Sequence, residues 1–336
     1  MKKIINDPYQ VVDETLSGIL KAYPYHLRMS KDSTRALVRA DAPVKGKVGI
    51  CTGGGSGHIP VFLGYVGPGL LDGVSVGNVF SSPSADDMLA ATKEVNGGAG
   101  VLYLFGNYSG DVMNFEMAAD MAGMDDIEVQ MSVAKDDVVS APRAEKDKRR
   151  GVAGIFFAYK LAGAKADTMA SLAEVKALTD RVIDETCSIG VALSPCTIPA
   201  AGKPTFTIAD DEMEIGMGIH GEPGLKRTKM MPADEIASIM ADMAIKDLPF
   251  KSGDEVAVLV NGLGATPPEE LFILYNKIHD ILGGSGLKVY KTFIGEYATS
   301  MEMAGASLSL LRLNDEFKKL LDAPAFSPFL PQWRKK

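Results

Sequence analysis

The sequence is short of several features that would each announce a class of protein. Its 336 residues include three cysteines, Cys51, Cys187 and Cys196, an odd number with no Cys-x-x-Cys pair. A disulfide framework is therefore not expected, and reduced thiols in a cytoplasmic protein are the simple reading. No apolar run reaches the ~18 residues that a membrane span needs. The start, MKKIINDPYQ, turns polar at Asn6 and Asp7, so it lacks the apolar centre of a secretory signal. Basic residues are not in excess: 35 Lys and Arg stand against 43 Asp and Glu, a net charge of −8. That balance argues against nucleic acid or an anionic membrane as a partner. The one basic run, Lys146–Arg150, is broken by Asp147 and reads as a solvated surface. No Gly-Lys-Ser/Thr closes a phosphate loop, and no His-x-His or His-x-x-x-His spacing favours a metal.

What is present is ordinary globular material, 46% hydrophobic and 23% charged. The length exceeds what one core usually supports, so two domains are expected, at 1–182 and 183–336. Asp7 and Pro8 are placed to start a helix carrying Val11, Val12, Leu16, Ile19 and Leu20 on one stripe. Apolar runs at Val48–Cys51, Val74–Phe80 and Gly100–Phe105 each end in small or polar residues and alternate with helical patterns. Residues 151–188 read as two helices, the second opened by a Ser171/Glu174 capping box. The second half repeats the alternation, with strands expected near Met213–Ile219, Glu255–Val260, Leu287–Ile294 and Ala306–Leu313. Helices are expected at Pro232–Ile245 and after Thr266, which is read as a cap. The class is α/β: two α/β domains with mixed, largely parallel sheets and flanking helices.

Two of only four histidines sit in glycine-rich loops. Gly53-Gly54-Gly55-Ser56-Gly57-His58 follows a strand and frees several backbone N–H groups to face a small ligand. The same loop is compatible with a tight strand–helix turn that binds nothing. Gly216-Met217-Gly218-Ile219-His220-Gly221-Glu222-Pro223-Gly224 matches Gly-x-Gly-x-x-Gly, but Glu-Pro-Gly makes a turn where a dinucleotide-binding helix would start. What remains there is a histidine held between glycines with little bulk to bury it. In Gly106-Asn107-Tyr108-Ser109-Gly110-Asp111, the aspartate is as compatible with a helix cap as with catalysis. Two imidazoles and a carboxylate on strand-end loops suit nucleophilic or acid–base chemistry.

These loops resemble the substrate-binding subunit of dihydroxyacetone (glycerone) kinases. The matching stretches are GGGSGH (Gly53–His58), GNYSGDVMNFE (Gly106–Glu116), RRGVAG (Arg149–Gly154) and GMGIHGEPG (Gly216–Gly224), followed by VNGLGATPPEEL (Val260–Leu271) and SMEMAGASLSLLRL (Ser300–Leu313). They keep their order along most of the chain. The resemblance implies a phosphotransferase acting on an alcohol, with dihydroxyacetone or a related C3–C5 ketose held covalently. It gives His220 the role of nucleophile forming a hemiaminal, His58 that of general base, and Asp111 that of activating the terminal hydroxyl. Gly55, Ser56, Gly57 and Gly106 would line the ketose site. A hemiaminal needs a carbonyl, so glycerol would be rejected.

The resemblance also implies partners. No cofactor would be bound by this chain; ATP or ADP with Mg²⁺ would sit on a separate helical subunit of the DhaL type. The phosphoryl source would be ATP or a phosphotransferase-system relay, and the chain would form a homodimer. Two positions depart from the family pattern: Ile59 stands where a glutamate is usual, and Gly106 where a lysine is frequent. The loss of that cation suits a longer ketose. It equally suits a catalytically silent relative that senses a ketose and regulates transcription.

Overall fold

The alternating apolar runs and helical stripes form two six-stranded sheets with flanking helices, in a computed structural model that describes residues 2–332. The chain begins with α1 (Val11–Ala22), β1 (Leu27–Met29), β2 (Ala36–Arg39), β3 (Gly49–Ser56) and β4 (Gly73–Val79). Next come α2 (Ala85–Val95), β5 (Val101–Gly106), α3 (Ser109–Met124), β6 (Val129–Ala134), α4 (Ile155–Ala166) and α5 (Leu172–Asp184). The second sheet is built from β7 (Thr186–Ser194), the short β8 (Thr197–Ile198) and β9 (Lys203–Pro204) being a separate hairpin, then β10 (Glu212–Ile215) and β11 (Lys226–Lys229). It continues through α6 (Ala233–Asp247), β12 (Glu255–Gly262), α7 (Pro268–Gly284), β13 (Lys288–Gly295) and β14 (Ala304–Arg312). The chain closes with α8 (Asp315–Leu321), β15 (Ala325–Ser327) and β16 (Leu330–Gln332).

In the first unit the strand order is β1-β2-β4-β3-β5-β6, and β4, β3, β5 and β6 are parallel. Val101–Phe105 is wholly buried, as a central parallel strand covered on both faces must be. Phe105 and Tyr103 pack on Phe115 of α3, at ring separations of 3.9 and 5.3 Å. On β3, Cys51 joins that core while the next residue, Thr52, bonds Tyr159 of α4 at 2.8 Å, which puts α4 on the opposite face. Asp7 does not cap α1. It accepts from Tyr9 and Gln10 in a turn before the helix, whose first residue is Val11. The helix buries its apolar stripe through Val12 and Leu16.

In the second unit the order is β11-β10-β7-β14-β12-β13, antiparallel throughout except for the β12–β13 pair. Helices α6 and α7 cover it, burying Ile236, Met240, Leu274 and Ile278 against Ile189, Val258 and Leu308. Edge strand β11, Lys-Arg-Thr-Lys, has no apolar pattern and was invisible to periodicity. Thr266 does not cap α7: its hydroxyl donates to Gly305 O at 2.6 Å and accepts from Gly305 N at 2.8 Å, tying the helix start to β14.

The two units interleave along the sequence. The first takes residues up to Ala134, Phe157–Val182 and the chain from Glu316; the second takes Lys135–Phe156 and Ile183–Asp315. The chain passes between units after Ala134, Phe156, Val182 and Asp315. The reasons are local. In the second unit Val138 N donates to Ser188 O at 3.0 Å and Ser188 N to Asp136 O at 2.7 Å, so 136–138 extend that sheet. In the first, Phe326 N bonds Pro68 O, Ser327 bonds Gly64 O, and Phe326 lies 4.9 Å from the His26 ring. The run Lys146–Arg150 is likewise not a plain solvated surface. Arg149 is 1% exposed and grips Asp247 with both terminal nitrogens, at 2.9 and 2.6 Å. Among the described residues no helix is long and apolar enough to cross a membrane.

Candidate functional site

Parallel pairing decides where the first group of residues lies. Strands β4, β3 and β5 are neighbours running the same way, so the loops after all three open at one sheet edge. Gly55, Ser56, Gly57 and His58 follow from β3, Phe80–Ser84 from β4, and Gly106–Asp111 from β5. Contacts bind the loops together. Phe80 stacks on the His58 ring at 4.8 Å and 17°, and Phe62 meets it edge-on at 6.0 Å. A methyl group on Gly110 would meet Ser82 Oγ at 2.7 Å, and Asn114 of α3 donates to Pro83 O at 2.6 Å. Gly55 is required because a side chain there would run into the Phe80–Ser81 backbone at 2.7–2.9 Å.

His58 is 1% exposed and Asp111 5%. The two aromatic residues that bracket His58 both occupy left-handed backbone, Phe62 at φ 66° and Phe80 at φ 56°. For residues with a Cβ that conformation costs on the order of 1–3 kcal/mol each, a strain typical of functional loops. Asp111 lies in the first turn of α3. Ser84, by contrast, is an ordinary cap, accepting from Asp87 N at 3.1 Å. Gly106 ends β5 as a buried residue paired with Ala134 of β6.

The second group is the loop after β10. Gly216 and Gly221 take φ of +81° and +87°, which reverse the chain around His220. Gly221 N donates to Gly218 O and Gly218 N to Glu222 O, both at 3.0 Å. Ser300 Oγ donates to Ile219 O, and Gly224 N donates to Glu214 at 2.7 Å. No helix follows, which removes the dinucleotide reading. An enclosed space of about 20 Å³ behind the loop, lined by Met217, Ile219, Asn261 and Ser307, has room for about one water and not for a sugar.

Within this loop the His220 ring and Glu222 pair closely. His220 Nδ1 lies 2.7 Å from Glu222 Oε1, and His220 N donates to Glu222 Oε2 at 2.9 Å. Burial pushes the Glu222 carboxyl up, but the hydrogen bond to the His220 ring and that ring's charge in acid outweigh it and bring it down to about 2. An ionised carboxylate can only accept, so in the neutral ring the Nδ1 carries the proton and Nε2 carries the lone pair. A quarter of the His220 side chain is exposed. The pair therefore fixes the orientation of the His220 ring and, in its neutral form, its tautomer.

The linkage has a definite sign. A carboxyl lowered from 4.5 to about 2 contributes loop stability that is complete above pH 4.5 and is lost as the pH falls towards 2. Amide exchange of residues 219–224 should accelerate across that window in the unaltered protein. In Glu222→Gln the acid-dependent step should be absent, and its persistence would place the stabilising group elsewhere.

Glu222 was missed by sequence reasoning, which took it as part of a turn; the i, i+2 spacing from His220 was the available signal. Among the described residues no group of three or more His, Cys, Asp or Glu is arranged to hold a metal. The cysteines are buried and unpaired by disulfide.

Two α/β units with imidazoles on strand-end glycine loops define a class of small-molecule-binding α/β proteins. Within it, residues 17–329 match the Dak1 domain, and the chain belongs to that family. It is 46% identical, over 94% of its length and 95% of the relative's, to the dihydroxyacetone-binding subunit DhaK of PTS-dependent dihydroxyacetone kinase 1 of Listeria innocua. It is 40% identical to the D-erythrulose kinase of Mycolicibacterium smegmatis, across 98% of this chain and 56% of that one. A solved structure, the dihydroxyacetone kinase operon co-activator Dha-DhaQ, superposes with a TM-score of 0.89 at 31% identity, covering 96% and 99% of the two chains.

Proposed function

We propose that this chain is the ketose-binding subunit of a dihydroxyacetone-type kinase and holds a short ketose covalently on His220. The observation that carries the reading is the His220–Glu222 pair: the carboxylate engages Nδ1, which makes Nε2 the lone-pair nitrogen of the neutral, quarter-exposed side chain. In the proposed step the Nε2 lone pair bonds to the carbonyl carbon and the C=O π pair moves to oxygen, which takes a proton from solvent. The ring keeps its Nδ1 proton, and Glu222 offsets the positive charge of the resulting imidazolium. His58 then serves as general base and Asp111 activates the terminal hydroxyl for in-line transfer. Gly55, Ser56 and Gly57 contribute donors to the bound ketose. ATP or ADP with Mg²⁺ belongs to a separate helical DhaL-type subunit, with ATP or a phosphotransferase-system relay as the phosphoryl source. The relatives named for PTS-dependent kinases support that partner. A cytoplasmic homodimer completes the proposal.

The position of Gly106 selects among ketoses. It places no cation at the end of β5, which suits a ketose longer than dihydroxyacetone, and the relatives of this chain include a dihydroxyacetone-binding subunit at 46% identity and a D-erythrulose kinase at 40%. The test is a series of C3–C5 ketoses labelled with ¹³C at the carbonyl, each mixed with the protein and followed by NMR. Bound ketose should lose its carbonyl resonance and gain that of a tetrahedral carbon bonded to nitrogen and oxygen. Failure of every ketose in the series would overturn the covalent reading. Gly106→Lys should strengthen dihydroxyacetone binding relative to erythrulose by roughly 10-fold, the worth of one charge-assisted hydrogen bond. An unchanged preference would remove Gly106 from the specificity argument.

A second reading follows from the co-activator superposition: a ketose sensor without kinase activity. It needs His220 but neither His58 nor Asp111. Identity is higher to the kinase subunit, 46% against 31%, and both groups are present here.

A further inference from the structure

Glu222 has a neighbour that neither the glycine loops nor the proposed chemistry calls upon. Arg150 Nη1 lies 3.9 Å from Glu222 Oε2, the same oxygen that accepts from His220 N. Arg150 is itself fixed. Its Nε and Nη2 hold Asp137 Oδ2 at 2.8 and 2.7 Å, and Nη2 also donates to Gly216 O at 3.1 Å, at the root of the His220 loop. Asp137 is 3% exposed, so this is a buried anchor and not a surface ion pair. Gly218 shows how tightly the groups meet: a methyl group there would overlap both Glu222 Oε2 and Arg150 Nη1. One guanidinium thus touches the backbone where the loop begins and the carboxylate that orients the ring.

We infer that Arg150, anchored by Asp137, is a positioning residue for His220, holding the Glu222 carboxylate in place and drawing off part of its charge. The inference rests on the reading of His220 as the nucleophile. Its physical content is a balance. A carboxylate bonded to Nδ1 fixes the useful tautomer, but by itself it also favours the imidazolium, which has no lone pair to offer. A cation on the far oxygen keeps the orientation and weakens that second effect. The charged and titratable groups facing the loop are Glu222 and Glu214, Arg227 on β11 paired with Glu214, Arg150 and Asp137 from segment 135–156, and Cys196 behind Ser300. Arg150 forms an ion pair with Glu222, at 3.9 Å, whereas the ion pair of Arg227 is with Glu214, at 3.0 Å.

Two measurements on the full chain test this. One follows the ¹⁵N shifts of the His220 ring across pH without ketose; the other follows the yield of ¹³C-ketose adduct across the same range. Arg150→Gln should raise the pH of half-maximal adduct by roughly one unit, lowering the yield several-fold at neutral pH and restoring it in alkali. Glu222→Gln should move the midpoint the opposite way and release the ring to both tautomers. Arg150→Lys, which keeps a cation, should stay near the unaltered protein. A purely structural role would depress the yield at every pH and leave the midpoint where it was; that result, or shifts in one common direction, overturns the inference. Should Arg150→Gln fail to fold with Asp137 left buried alone, Glu222→Gln and Arg150→Lys carry the test. Unchanged ring signals in Glu222→Gln would then refute it. The ring signals need no ketose, so normal ring responses with no adduct in the unaltered protein would defeat the nucleophile reading and leave the positioning role standing.

Discussion

Replacing His220 by alanine should remove the covalent ketose adduct completely while leaving the protein folded. The fold should survive because the loop is held by backbone and by other side chains. Gly216 bonds Gly190 O and Arg150, Ile219 O receives Ser300, and Gly224 N is held by Glu214. The side chain is a quarter exposed, so its loss opens no core cavity. The adduct should vanish because His220 carries the one basic side-chain nitrogen in residues 216–224, and amide nitrogens do not attack carbonyls. The ¹³C signal of the tetrahedral carbon checks the result directly, and a melting temperature within a few degrees of the unaltered protein checks the fold. The discrimination between dihydroxyacetone and glycerol should collapse at the same time, since the remaining contacts see only hydroxyls. An adduct of undiminished yield in His220→Ala would end the assignment.

The second large effect concerns phosphoryl transfer after the ketose is bound. His58→Asn and Asp111→Ala should each leave the adduct intact and slow transfer by roughly 10²-fold or more, the usual scale for loss of a general base or of the group that orients the attacking hydroxyl. The measurement is phosphorylated ketose formed with the nucleotide-bearing partner and its phosphoryl donor. His58 is buried between Phe62 and Phe80, so a smaller side chain leaves some space beside two strained residues. A modest fall in thermal stability is therefore expected, and transfer must be compared at a temperature where the variant is folded. Unimpaired transfer in both variants, with adduct present, would place the base and the orienting group elsewhere, whereas adduct without any transfer in the unaltered protein would favour the sensor reading. Together with His220→Ala they separate bonding from transfer: these two variants keep the adduct and slow transfer, whereas His220→Ala removes the adduct itself.

Some of this was legible before any coordinates. The strand-end glycine loops, the two imidazoles and Asp111 could be picked out because glycine and histidine in those loops carry local chemical meaning: open backbone donors, permitted left-handed turns, a titratable ring. The Ser171/Glu174 capping box was readable for the same reason, and its reciprocal bonds are present at 2.8 and 3.4 Å. Elements with strong apolar periodicity, such as α2, α6, β5 and β12, were also readable. Two capping assignments were not: Asp7 forms a turn ahead of α1, and Thr266 bonds β14 across the sheet. Asp7 found a local partner two residues on, whereas Thr266 took one 39 residues away that packing alone supplies.

The sequence by itself determined the class of protein, the positions of its histidine-bearing glycine loops and its family, since these follow from local preferences and from ordered motifs along the chain. Only the tertiary structure decided that residues 135–156 and the C-terminal segment cross into the other unit, that Arg149 and Arg150 are buried anchors, and that Glu222 orients His220. Those outcomes depend on long-range pairing: Arg150 with Asp137 and Glu222, Arg149 with Asp247, Phe326 with the 64–68 turn. A charge on a sequence looks solvated until the fold supplies the opposite charge that makes its burial tolerable.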